Sequence, residues 1–174
     1  MAVRRILTEP NKTLRQKSLP VEKVDKDLQL LMDDMVETMY AAPGIGLAAI
    51  QVGVAKRVIV IDIAQKDGAK NPMFFINPEI IEKSNNNSTY EEGCLSVPGQ
   101  FAEIERPDKC HVKYLDYNGK QQEINAEGML ATCIQHEMDH LEGILFIDYL
   151  SKLKQSMIIK KLSKQKKAIE RIVV

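Results

Sequence analysis

The sequence has no apolar run approaching the roughly 20 residues that a bilayer crossing needs; Val58 to Ile61 is typical of its longest. The opening MAVRRILTEP carries no extended apolar stretch after its arginines, so the chain is expected to be soluble, unexported and cytoplasmic, with no membrane partner. Histidine is scarce at three residues, and so is cysteine. The odd, widely spaced set Cys94, Cys110 and Cys133 argues against a disulfide framework and leaves metal binding, catalysis or simple burial in a reducing compartment. Repeats, linkers and low-complexity segments are missing too. The 174 residues, 44% hydrophobic and 28% charged, therefore read as one domain, 1–174, with its own core. Zero net charge hides an asymmetry: from Ser151 to Val174 eight Lys/Arg stand against the single Glu170. Two readings fit this basic tail, a solvated helix face with Leu150, Leu153, Met157 and Leu162 turned inward, or a surface for an acidic partner such as RNA.

Asp25 can cap a helix in which Leu28, Leu31, Met32, Met35 and Met39 recur at helical spacing, and Pro43-Gly44 ends it. The β-branched run from Arg57 to Ile63 suits a buried strand, and Phe74 to Glu82 suits one or two shorter strands around Pro78. Asn118-Gly119, between Cys110–Tyr117 and Lys120–Ile124, predicts a hairpin with a type I′ turn in which both residues take positive φ. Ala126 to Leu141 reads as a second helix stopped near Gly143, Asp148 to about Ala168 as a third, and Asn85 to Ser88 as a surface loop. Strands clustered between helices without βαβ alternation give an α+β fold. Mostly antiparallel sheets should pack around the central helix, with an N-terminal helix and a C-terminal helix beside them.

Within that central helix, His136-Glu137-Met138-Asp139-His140 forms an H-E-x-x-H pattern. Residues four apart on a helix lie one above the other, so two imidazoles can close on one metal ion while Glu137 faces the attacking water. The bland alternative is a chance match, weakened because two of the three histidines fall at this spacing around a glutamate. A catalytic metal needs a third protein ligand and an open position. Cys133 precedes His136 by three residues, but three side chains spread over two turns of one straight helix converge poorly. Cys94, in Glu92-Gly93-Cys94-Leu95-Ser96, can approach from a separate strand or loop and is favoured, with a buried structural cysteine as the default it must beat. Gly44-Ile45-Gly46-Leu47-Ala48-Ala49 has the G-x-G-x-x-A form of a dinucleotide fingerprint, yet it follows a predicted helix and precedes a strand, the reverse of a βαβ entry. It reads better as a tight loop that brings backbone close to a neighbour, with Gln51 as a polar group facing it.

Together GIGLAAIQ (44–51), EGCLS (92–96) and QHEMDHLEG (135–143), in that order, resemble the three signature motifs of bacterial-type peptide deformylases. The resemblance runs from RRILTEPNKTLR through the tail helix. It implies a metal-dependent hydrolase that removes the formyl group from the N-terminal formyl-methionine of new proteins and releases formate. By that resemblance Cys94, His136 and His140 hold the metal, Glu137 handles the proton, and Gln51 with the backbone N–H of Leu95 stabilises the oxyanion. The peptide is expected beside Ile45 and Gly46 as an added strand, its methionine side chain among Tyr90, Met129, Thr132 and Cys133. Glu92 and Arg106 are expected to pair close to the site. At Phe101, where many relatives carry arginine, this chain offers no charge to the peptide. The ligand set suits several ions; the resemblance implies Fe2+ first, with Zn2+, Ni2+ or Co2+ as alternatives. N-formylmethionyl nascent peptides are the expected partners, the chain is expected to be a monomer, and the basic C-terminal helix is a candidate contact to the ribosome. On the motifs alone two rivals stay open: a metallopeptidase that takes its third ligand from a downstream His or Glu, and a metal-stabilised binding domain without activity.

Overall fold

The structure, a computed structural model, describes residues 2–173; the side chains of residues 66, 67 and 168–173 lie outside that description. The Asp25 carboxylate accepts from the Leu28 N–H at 2.9 Å and starts α1 (Lys26–Ala41), satisfying one of the donors a helix start leaves free. Short β1 (Gly46–Ala48), β2 (Val58–Ile61) and β3 (Met73–Lys83) follow, then the hairpins β4 (Asn87–Cys94) with β5 (Val97–Pro107) and β6 (Lys109–Leu115) with β7 (Gln121–Glu127). α2 (Gly128–Leu141) carries the HEMDH sequence, and α3 (Lys152–Val173) closes the chain. Among the described residues five strands form one sheet in the order β1-β2-β3-β6-β7, and β4 pairs only with β5; every pairing between these strands is antiparallel.

The expected α+β fold is what the chain adopts, and β2 explains why. All four of its residues are fully buried. Strand alternation sends Val58 and Val60 into a cluster with Leu28, Met32, Met35 and Met39 of α1, and Ile59 and Ile61 into another with Ile134 and Leu141 of α2. The sheet thus lies between the two helices, and each such side chain contributes roughly 1.5–3 kcal/mol by leaving water. A third cluster, with Val97, Ile104, Leu145, Phe146, Ile147 and Leu162, joins the β4–β5 hairpin to α3.

Several sequence expectations need correction. Of the one or two shorter strands read around Pro78, the structure has one longer strand, β3: Asn77 takes φ 50° and Pro78 has no N–H to give, so the register shifts between Ile76 and Glu79 while the strand continues. Asn77 is held there by Val21, accepting its N–H and donating to its carbonyl at 2.8 Å each. Among the described non-glycine residues only Asn77 has positive φ, so Asn118 does not take the type I′ geometry. Instead Asp116 N–H bonds the Lys120 carbonyl and Gly119 N–H the Asp116 carbonyl, a three-residue loop with Gly119 at φ 81°. β7 runs on to Glu127, so α2 begins two residues later than expected, and β4 takes in Asn87 and Ser88, which read as loop. Asp148 belongs to a short 3-10 turn, its carboxylate accepting from Leu145 N–H, and α3 starts only at Lys152. On α3 the inward stripe is Ile158, Ile159 and Leu162; Leu150 packs on the same cluster, but Leu153 and Met157 face outward at 72% and 63% exposure. The helix holds two apolar stripes, and the one with two adjacent isoleucines won the core. Among the described residues no helix is long and apolar enough to cross a membrane.

Candidate metal centre and catalytic cleft

His136 and His140 lie one turn apart on the buried face of α2, their ring centroids 5.2 Å apart, and the end of β4 delivers Cys94 against them. One donor atom from each of Cys94, His136 and His140 falls within 4.8 Å of the others, with Cys94 Sγ 3.4 Å from His140 Nε2. A tetrahedral ion with bonds of about 2.3 Å to sulfur and about 2.0 Å to nitrogen holds its donors at such separations, so the three residues fit a small divalent metal. Cys133 stands outside this group, buried on the cleft wall, as the straight-helix argument anticipated.

A carboxylate fixes the orientation of the first imidazole. Glu92 Oε1 lies 2.8 Å from His136 Nδ1, and because an ionised carboxylate can only accept, that nitrogen carries a proton, leaving Nε2 as the atom that would offer its lone pair to a metal once its own proton is lost. Arg106 grips Glu92 with both arms, Nε at 2.7 Å and Nη2 at 3.0 Å, so the expected pair is present and buried. Sequence reasoning missed the rest of this chain of contacts: Arg106 Nη1 also reaches Asp139 at 2.9 Å, and Tyr149 O–H donates to the same Asp139 oxygen at 2.7 Å. Asp139 was legible only as the fourth letter of HEMDH; nothing in the pattern named its partner. Burial pushes the Glu92 carboxyl up, but hydrogen bonds from His136 and Arg106 outweigh it and hold it below 4.5. Burial likewise lowers His136, yet the Cys94 and Glu92 contacts carry it well above its usual value, while burial and the neighbouring His136 charge keep His140 well below. Binding of a cation here therefore displaces a proton.

Glu137 is 5% exposed, and burial pushes its carboxyl up to about 7. Its Oε2 has no hydrogen-bond partner among the described residues. Oε1 faces β1 so closely that a Cβ on Gly46 would sit 2.6 Å from it; only glycine lets the strand pass. Gln51 is also buried, its Oε1 accepting from Ala48 N–H at 2.9 Å and its Nε2 donating to Ser96 Oγ at 3.0 Å. One hydrogen of that amide is thereby used, and the other is donated to Cys94 Sγ at 3.6 Å.

A cleft of about 470 Å³ gathers these groups. Ile45, Gly46, Gln51, Tyr90, Cys94, Leu95, Met129, Thr132, Cys133, His136 and Glu137 all line it, and His140 lies beneath at 1% exposure, so the structure brings every residue named from the sequence to one place. Among the described residues β1 is an edge strand, paired with β2 alone, and Ile45 and Gly46 at its start line this cleft.

Residues 3–156 match the family model for polypeptide deformylase. The chain is 68% identical over 174 residues to the peptide deformylase of Pelagibacter ubique, covering all of both chains, and 60% identical over 168 residues to that of Phenylobacterium zucineum, covering 97% and 99%. The crystal structure of peptide deformylase from Ehrlichia chaffeensis superposes with a TM-score of 0.92 at 45% identity, covering 96% of this chain and 98% of that one. By sequence and by fold, the chain belongs to the polypeptide deformylase family, metal-dependent hydrolases that remove the N-formyl group from nascent peptides.

Proposed function

We propose that Cys94, His136 and His140 hold one divalent ion, that Glu137 moves the proton, and that the cleft takes the formyl-methionine end of a new protein. The observation that carries this reading is the convergence of three donor atoms within 4.8 Å beside a buried carboxylate held near neutrality. A divalent ion bound there supplies a Lewis acid that brings the pKa of water from about 15.7 toward about 7. Glu137, poised close to ambient pH, takes a proton from the attacking water at Oε2 and later gives one to the departing methionine amine. The formyl oxygen, as it gains charge, meets the Gln51 Nε2 hydrogen that points to Cys94 Sγ, displacing that long contact, and the backbone N–H of Leu95, which follows Cys94 in the turn into β5. Because Ala48 and Ser96 fix both ends of the Gln51 amide, only its long contact to Cys94 Sγ gives way when that charge develops.

Substrate backbone pairs along the free edge of β1 at Ile45 and Gly46, adding a strand to the sheet. The methionine side chain enters between Tyr90, Met129, Thr132 and Cys133. Fe2+ is the ion proposed for the cell, and Zn2+, Ni2+ and Co2+ suit the same donors. The chain works as a monomer of one domain, 1–174. On α3, Lys160, Lys161 and Lys164 are exposed beside the outward Met157, which favours a salt-sensitive contact with ribosomal RNA. Replacing these three lysines by Glu, which leaves Leu162 in the core, should abolish that contact without touching peptide hydrolysis. Equal ribosome binding by the variant would remove the tail from the account. The assay for the reaction itself is formate release from formyl-Met-Ala-Ser by anaerobically purified chain loaded in turn with iron, nickel or zinc. Metal-dependent release supports the reading; a folded, metal-loaded chain that releases none refutes it.

A further inference from the structure

We propose that Phe101 selects the third residue of the formylated chain, favouring an apolar side chain there and disfavouring an acidic one. This rests on the reading of the cleft given above. Phe101 is 65% exposed and yet lines the cleft. Antiparallel pairing sets it directly opposite Gly93 on the outer face of the β4–β5 hairpin. Its ring covers the place where a side chain would be, since a Cβ on Gly93 would lie 2.5 Å from Cε1. An exposed apolar surface is thereby offered to the cleft.

The charge around that surface has one sign. Glu91, exposed and also lining the cleft, faces Glu103 across the hairpin, and among the described residues no Lys or Arg lines the cleft at all. An extended peptide beside β1 alternates its side chains. With the first residue in the methionine pocket, the second turns to solvent and the third returns to the cleft side about 6.6 Å further on. There an apolar side chain shares the Phe101 ring, whereas a carboxylate loses water beside Glu91 and finds no cation. The discrimination is a binding effect remote from the reacting bond, so it falls on KM more than on kcat, at about tenfold between Leu and Glu.

The test is steady-state hydrolysis by the metal-loaded full chain of formyl-Met-Ala-Leu-amide and formyl-Met-Ala-Glu-amide, beside the pair with the variable residue second. The expected Leu-to-Glu ratio in kcat/KM is about tenfold or more at the third position, carried by KM, and under about threefold at the second. Phe101→Arg should bring the third-position ratio to one or below, and Phe101→Leu should retain the preference. A flat ratio in the parent chain, a ratio unchanged by Phe101→Arg, or a preference confined to the second residue would overturn the assignment while leaving the deformylase reading intact. No formate from any of the four peptides would bring down that reading and this one with it.

Discussion

α2 and α3 are both amphipathic helices near the end of the chain, and they use their burial differently. α2 is walled in by the sheet on one side and the β4–β5 hairpin on the other, and several of its polar residues find partners there: His136 meets Glu92, Gln135 meets the Pro107 carbonyl at 2.9 Å, and Asp139 meets Arg106 and Tyr149, while Glu137 Oε2 is left without one among the described residues. α3 leans on a single cluster through Ile158, Ile159 and Leu162 and leaves its lysines in water. In α2 low dielectric turns side-chain identity into chemistry; on α3 the exposed lysines act through a screened field.

That contrast can be broken in order of expected effect. Glu137→Gln should lower kcat by about 10²–10⁴ with the fold retained, measured by formate release against thermal melting. Gln51→Leu should cost about 10²–10³ in kcat, since it removes one donor from the developing oxyanion. Arg106→Leu leaves Glu92 and Asp139 buried or half-buried without their cation, and urea unfolding should register a loss of about 3–5 kcal/mol. Acid unfolding separates the helices further. The Glu92 carboxyl lies below 4.5 in the folded chain, so the stability it brings is present above that pH and lost as pH falls through its folded value. Glu92→Gln should therefore flatten the acid limb of the stability curve, whereas Lys160→Gln on α3 should leave it unchanged and shift stability by no more than about 0.5 kcal/mol.

How far the sequence spoke follows the same division. Local signals were legible: the Asp25 cap, the methionine stripe of α1, the run 58–61 and the H-E-x-x-H spacing each arise from neighbours along the chain. Helix geometry argued against Cys133 and the resemblance pointed to Cys94, whose sulfur lies beside the two histidines. What stayed hidden depended on partners distant in sequence. Neither the bend of β3 at Asn77, tied to Val21, nor the reach of Arg106 to Asp139 leaves a periodic trace. The inward face of α3 was misjudged because its two apolar stripes compete on equal local terms, and only the third cluster decides between them.

The central claim is a division of labour between the three donors and Glu137, and it is tested most directly by measuring bound metal and formate release on the same samples of parent, Cys94→Ala and Glu137→Gln. The account predicts that Cys94→Ala loses both metal and activity, while Glu137→Gln keeps stoichiometric metal and loses activity alone. Full metal occupancy in Cys94→Ala, or undiminished formate release by Glu137→Gln, would contradict it.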